Sequence, residues 1–112
     1  MTDDGVVVDV VFELGLLYLE LANLGDRPAL DVSCSFEPPI VDVHGRSLSE
    51  LALFRYLGFL APRRRIRSLL GPSAGYSETL TVSVEYGRHG GERVTTRLTH
   101  DLAAFGELSY VV

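Results

Sequence analysis

Residues 16–36 read LLYLELANLGDRPALDVSCSF, and this stretch decides the fold. Leucines at positions 17, 19 and 21 alternate with other residues, which is the period of a strand that buries one face. Asn23-Leu-Gly-Asp26 then predicts a tight turn, in which Gly25 is the residue best able to take a positive φ. A second strand follows and ends at Pro38-Pro39. Its inward phase is Leu30, Val32, Cys34 and Phe36.

The same two-residue period recurs in the second half of the chain. From Thr79 to Tyr86 it places apolar residues on one face and hydroxyl or acidic residues on the other. The inward residues of these two runs are Leu80, Val82, Val84 and Tyr86, then Val94, Thr96, Leu98, His100 and Leu102. Between the runs, Gly87-Arg-His-Gly-Gly91 supplies the glycines that a hairpin connection needs.

Three further segments predict strands, namely Val6–Phe12, Ile66–Leu70 and Leu108–Val112. Residues 47–60 are ambiguous: Ser47-Leu-Ser-Glu50 resembles a capping box at the start of a helical turn, and an irregular crossover between sheets fits equally well. Short strands separated by turn residues are typical of an antiparallel sandwich. We therefore predict an all-β, immunoglobulin-like antiparallel β-sandwich of about seven strands, with a short helical turn near 48–56 left open.

Length and composition narrow the class of protein. The chain has 112 residues, and we expect residues 1–112 to form a single domain. A net charge of −5 argues against nucleic-acid binding, which uses a basic surface. Cys34 is the one cysteine, so the fold needs no disulfide. The acidic N-terminus and the lack of a run of about 18 apolar residues predict a soluble, cytoplasmic protein without membrane insertion.

A string of short motifs carries a resemblance to a known group of domains. In chain order the motifs are Asn23-Leu-Gly-Asp26, Pro28-Ala29, Asp31-Val32, Phe36-Glu-Pro-Pro39, Leu48-Ser-Glu-Leu51, Phe54, Phe59-Leu-Ala-Pro62, Ile66-Arg67, Val82-Ser-Val-Glu-Tyr86, Asp101-Leu102 and Leu108-Ser-Tyr110. Over residues 14–112 the chain resembles an uncharacterised group of bacterial immunoglobulin-like domains. More distantly, it is similar to the cell-adhesion-related bacterial (CARDB-type) domains, although Arg63 stands where their second turn has Gly. The resemblance implies a β-sandwich and no known activity.

The densest charge cluster is Arg63-Arg-Arg-Ile-Arg67. The guanidinium groups of Arg63, Arg64, Arg65 and Arg67 are suited to gripping an acidic partner or an anionic ligand. A solvated edge strand, whose charges prevent strand-to-strand aggregation, is the simpler explanation. On an acidic protein we favour the edge strand, and without interleaved aromatic residues we expect no nucleic-acid binding.

Cys34 and His100 share the inward phase of their strands, so a sheet that placed these strands side by side would bring sulfur and imidazole together. Such a pair is the core of a thiol nucleophile. Cys34, however, stands among apolar residues, whereas a catalytic thiol needs a partly exposed, electropositive setting. We therefore favour a buried and unreactive Cys34.

The three histidines, His44, His89 and His100, lack the close spacing of a metal site. We expect neither a metal nor another cofactor, and no catalytic function. The favoured function is a protein-interaction or spacer module that uses an edge strand or the end loops to bind an unidentified protein. The alternatives are an anion or small-ligand module centred on Arg63–Arg67 and, behind it, a thiol enzyme.

The Val6–Phe12 strand is apolar on both phases, with Asp9 its only charge. An apolar edge strand is open to pairing with another chain. We therefore expect it either to be covered by Leu108–Val112 or to form a homodimer contact.

Overall fold

The computed structural model of the protein describes residues 5–106. It contains seven strands: β1 (Val6–Glu13), β2 (Leu16–Asn23), β3 (Ala29–Glu37), β4 (Leu57–Leu60), β5 (Arg65–Pro72), β6 (Thr79–Gly87) and β7 (Arg93–Asp101). Two single-turn helices, α1 (Ala52–Arg55) and α2 (Ala103–Gly106), and two 3₁₀ turns at residues 48–50 and 73–75 complete it. The predicted antiparallel sandwich of about seven strands, with a short helical turn near 48–56, is confirmed.

The strands form two antiparallel sheets, one with the order β1-β2-β5 and one with the order β4-β3-β6-β7. Their inner faces share one apolar core, as the alternation predicts. Leu17, Leu19 and Leu21 of β2 are fully buried, and so are the inward residues of β6. Within residues 5–106 there is no helix long and apolar enough to cross a membrane.

The hairpins follow from residues that tolerate positive φ. Leu14 and Gly15 join β1 to β2 with φ of 53° and 83°, which is the pattern of a two-residue type I′ turn. Gly90 and Gly91 take φ of 105° and 95° in the β6–β7 connection, as predicted for this hairpin. The amide of Gly91 donates to the carbonyl of Arg88 at 2.9 Å and closes that loop.

The connection after β2 differs from the sequence prediction. Residues 24–28 carry the chain from one sheet to the other instead of folding it back on itself, and Gly25 is not among the positive-φ glycines. The side chain of Asn23 organises this crossover: its Oδ1 accepts from the Gly25 amide at 3.0 Å, and its Nδ2 lies 2.9 Å from the Arg27 carbonyl and 3.2 Å from that of Leu60. The turn geometry therefore comes from an amide side chain, and the prediction for Gly25 is wrong.

A bulge interrupts β3. Asp31 has a φ of 50°, and the pairing with β6 shifts register between Leu30 and Ser33. As a consequence Ala29 is buried and Leu30 is only half-buried. The predicted inward position of Leu30 is therefore wrong, whereas Val32, Cys34 and Phe36 do face the core.

Residues 47–60 form the helical turn and also a strand, β4, which the sequence did not predict. Ser47 makes no capping hydrogen bond, and its hydroxyl lies 3.2 Å from that of Ser49, so the capping box does not form. Beyond α1 the chain enters β4, which pairs with β3. The predicted final strand, Leu108–Val112, lies outside the described residues, so the seventh described strand is β4.

Candidate functional site

The structure divides the arginine cluster into two pairs. Arg65 and Arg67 lie on β5, where both guanidinium groups bind Glu20 of β2 with N···O distances of 3.1 Å. Arg67 also binds Glu13 at 2.9 Å, and these hydrogen bonds to Glu20 and Glu13 raise the pKa of Arg67. The Glu20 carboxylate is 9% exposed. These two arginines are therefore neutralised within the chain, on the outer face of the three-stranded sheet.

Arg63 and Arg64 lie in the turn between β4 and β5, and both are exposed. Arg63 has a φ of 63°, which places it at the position where a glycine would be expected. The Arg64 carbonyl accepts a hydrogen bond from the backbone N–H of Asn23 at 3.0 Å. Within residues 5–106 neither guanidinium forms an ion pair. Of the arginine cluster, the part left for a partner is therefore this turn.

Cys34 and His100 are not sheet neighbours. Strand β6 lies between β3 and β7, and Cys34 pairs with Val84 whereas His100 pairs with Leu80. The His100 Nε2 instead lies 2.9 Å from the Val8 carbonyl oxygen. Burial raises the pKa of Cys34 to about 12. The thiol and the imidazole therefore lack the contact that a nucleophile and its base require.

The three histidines occupy separate places, His44 before the 3₁₀ turn at 48–50, His89 in the β6–β7 loop and His100 on β7. Across residues 5–106 no three His, Cys, Asp or Glu side chains come together in a group that could hold a metal ion.

The first candidate interaction surface is the β4 edge, which we define as residues 56–60 with the unpaired side of β4. β4 ends the four-stranded sheet and pairs with β3 alone in the described part of the chain. Tyr56 and Phe59 are 59% and 57% exposed. The Tyr56 hydroxyl donates to the Asp31 carboxylate at the β3 bulge, and this hydrogen bond raises the pKa of Tyr56. Two aromatic rings thus stand in solvent beside an open strand.

The second candidate is the end-loop cleft, a cavity of about 450 Å³ between the β2–β3 and β6–β7 connections. Its lining includes Asp26 and Arg27 from one connection and Arg88, His89 and Glu92 from the other, with Tyr86 from β6. Tyr86 is 3% exposed, and its buried hydroxyl has no hydrogen-bond partner within residues 5–106. A buried phenol normally finds a partner.

Sequence reasoning missed both surfaces. Residues 57–60 form a run of four that includes Gly58, which is too short to show the two-residue period of a strand. Tyr86 follows the inward phase of Leu80, Val82 and Val84, so the pattern indicated a core residue and nothing more. A signal was nevertheless present, because Tyr at an inward position next to a loop brings a hydroxyl that needs a partner.

Comparison with known proteins identifies a family. The family model described as "Domain of unknown function (DUF8453)" matches residues 5–106. The chain belongs to this family. No curated protein and no solved structure matches it.

Proposed function

We propose that this DUF8453 domain is a non-enzymatic protein-interaction module that binds an extended, acidic segment of another protein along the β4 edge. A partner segment would add a strand beside β4 by main-chain hydrogen bonds, with Phe59 supplying the apolar contact. The single observation that carries the proposal is an uncharged edge strand with a 57% exposed phenylalanine, in a domain whose other edges are guarded.

The contrast between edges supports this choice. Within residues 5–106 the edge strands are β1 and β5 in the three-stranded sheet, and β4 and β7 in the four-stranded sheet. β1 accepts side-chain hydrogen bonds from β7, β5 carries the paired arginines, and β7 carries two further arginines. Charges and covering groups of this kind prevent strands from pairing with other chains. β4 is protected against edge pairing by its short length, which limits the number of main-chain hydrogen bonds that a partner can form. We therefore expect the exposed Phe59 ring to contribute more binding free energy than the backbone.

The flanks of β4 support an acidic partner. Arg55 precedes the strand, and Arg63 and Arg64 follow it; all three are exposed. A segment with acidic ends would place carboxylates near guanidinium groups that have no ion pair within the described residues. A second copy is disfavoured, because antiparallel pairing of β4 with itself would bring Arg55 of one chain to the arginine turn of the other.

We also propose distant kinship with the bacterial immunoglobulin-like and CARDB-type domains. The strand order supports it, with three strands facing four. Tyr76 supports it too, because its hydroxyl lies 2.9 Å from the Val41 carbonyl and 3.1 Å from that of Leu70, upstream at the end of β5. A tyrosine that ties the corner before the sixth strand to upstream backbone is a hallmark of such sandwiches.

The test is selection from a random twelve-residue peptide library displayed on phage, followed by ¹⁵N chemical-shift mapping of the selected peptide on the full chain. We expect peptides with an apolar centre and acidic flanks, with shifts centred on residues 56–64. Phe59→Lys should weaken binding at least tenfold, whereas Val43→Lys, which changes a similarly exposed residue hydrogen-bonded to β5, should not. Selected peptides without acidic residues, shifts elsewhere, or equal effects of the two variants would contradict the proposal.

A further inference from the structure

We propose that the end-loop cleft is a binding site for a small zwitterion of the free amino acid or dipeptide class. This inference does not depend on the β4 edge, because it uses different side chains. It rests on three properties of the cleft: a buried hydroxyl without a partner among the described residues, walls that each carry both signs of charge, and a suitable volume.

The buried hydroxyl belongs to Tyr86, the last inward residue of β6. The strand period fixes its ring in the core beside Val84, and the residue also lines the cleft. The hydroxyl is inaccessible and has no hydrogen-bond partner among the described residues. A phenol can donate to a carboxylate or carbonyl oxygen and accept from an ammonium group. We therefore infer that a ligand group which reaches this hydroxyl from the cleft would make the hydrogen bond that the described residues leave unmade.

The walls of the cleft carry matched charges. The β2–β3 connection contributes Asp26 and Arg27, and the β6–β7 connection contributes Arg88 and Glu92. Within residues 5–106, Asp26, Arg27 and Glu92 form no ion pair. A simple anion would meet two carboxylates here, and a simple cation would meet two guanidinium groups. A molecule with both charges can direct its carboxylate to Arg27 and its ammonium group to Asp26 or Glu92, the three charged groups that form no ion pair within residues 5–106.

The dimensions of the cleft agree with this class of ligand. A volume of about 450 Å³ lies near the lower end of the range of small-molecule sites, roughly 300–1,000 Å³. The cleft lies between loops held at both bases: Asn23 fixes the β2–β3 connection, and the Arg88 amide donates to the Glu92 carbonyl at 2.7 Å in the other. A site held in place in this way avoids much of the ordering cost of binding.

The experiment is a titration of the ¹⁵N-labelled full chain with a neutralised mixture of the twenty L-amino acids, and separately with glycylglycine. Parallel titrations use acetate alone and methylammonium alone at the same concentration and ionic strength. We expect the amides of residues 24–28 and 86–92 to shift with the amino acids or the dipeptide, and to shift little with either single-charge compound. Residues 56–60 should stay unchanged, which separates this result from binding at the β4 edge.

Two variants test the assignment of residues. Tyr86→Phe should weaken binding of the zwitterion at least fivefold, whereas Tyr18→Phe, which alters a tyrosine on the outer face of β2, should not. Arg27→Gln, an exposed change that spares the core, should weaken binding to a similar extent. Absence of loop shifts with every zwitterion, equal shifts with acetate alone, or undiminished binding by both cleft variants would overturn the proposal.

Discussion

The imidazole Nε2 of His100 lies 2.9 Å from the carbonyl oxygen of Val8, although the two residues belong to opposite sheets. The Thr96 hydroxyl makes the equivalent contact with the Val6 carbonyl. In an antiparallel edge strand, alternate residues direct their backbone groups away from the partner strand. Two side chains of β7 therefore occupy carbonyls on the open side of β1. The strand expected to invite pairing is guarded from within the same chain.

The first prediction is that removing this guard promotes self-association. In the double variant Thr96→Val/His100→Leu the Val6 and Val8 carbonyls lose their donors. Stability should fall by about 1–3 kcal/mol, since each hydrogen bond contributes roughly 0.5–1.5 kcal/mol. Sedimentation velocity should also show a species larger than that of the unmodified protein. Thr95→Val, on the opposite face of β7, is the control, and a double variant that sediments like this control would show that β1 needs no guard.

Much of the sandwich follows from local pattern. Leu80, Val82 and Val84 lie in the core, as their two-residue alternation predicts. A register error of one residue would have exposed all three. The loop glycines at 90 and 91 follow from backbone sterics in the same way. In both cases each residue's own chemistry determines the outcome, so sequence reasoning reaches it.

The rest depends on contacts between distant segments. The Asn23 side chain fixes the crossover by reaching the carbonyl of Leu60, 37 positions away in the chain. The β3 bulge at Asp31 is stabilised by Tyr56 and Arg93, from outside β3. The separation of Cys34 from His100 requires knowing that β6 lies between their strands. The end-loop cleft likewise exists only once two connections meet.

The second prediction concerns Cys34. Burial raises its pKa from an ordinary 9.0 to about 12, which lowers the thiolate fraction at neutral pH roughly a thousandfold. The native protein should therefore react with a maleimide or disulfide probe at least a hundredfold more slowly than the denatured chain. A Cys34→Ala/Ser77→Cys variant, with its thiol at an exposed position, should react at the ordinary rate. Fast stoichiometric labelling of native Cys34 would reopen the thiol-enzyme alternative.

The third prediction is a pH dependence that originates at Asp42. Burial would raise the pKa of its carboxyl, but hydrogen bonds from the Arg46 amide and side chain and from the His44 amide outweigh that effect and lower it. A carboxyl with a lowered folded-state pKa stabilises the fold above its unfolded value of 3.8 and loses that contribution as pH falls through the folded value.

Asp42→Asn should therefore lower the free energy of unfolding at pH 7 by about 1–2 kcal/mol, through loss of charge-assisted hydrogen bonds. The difference between the two proteins should shrink below pH 3.8, where the unmodified protein loses the same contribution. Urea unfolding from pH 2.5 to 7 measures this difference directly. Arg46→Gln, which leaves the two amide donors in place, should reproduce only part of the loss. A gap between wild type and Asp42→Asn that stays constant over this range would contradict the assignment.

The last prediction compares two tyrosines that differ in the state of their hydroxyls. The Tyr76 hydroxyl lies within hydrogen-bond distance of the Val41 and Leu70 carbonyls, whereas the buried Tyr86 hydroxyl has no partner in the described part of the chain. A buried polar group left unsatisfied costs about 1–3 kcal/mol. In ligand-free protein, Tyr86→Phe should therefore raise the free energy of unfolding by about 1 kcal/mol, and Tyr76→Phe should lower it by a similar amount.

Thermal or urea unfolding in buffer free of amino acids measures both changes. A saturating zwitterion should cancel or reverse the stability gain of Tyr86→Phe, because the unmodified protein then forms a hydrogen bond that the phenylalanine variant cannot form, and binding to the folded state adds to stability. The effect of Tyr76→Phe should not depend on the ligand in this way. If Tyr86→Phe were destabilising without any ligand, the hydroxyl would already have a partner in an ordered water, and the argument from an unmet hydrogen bond would fail.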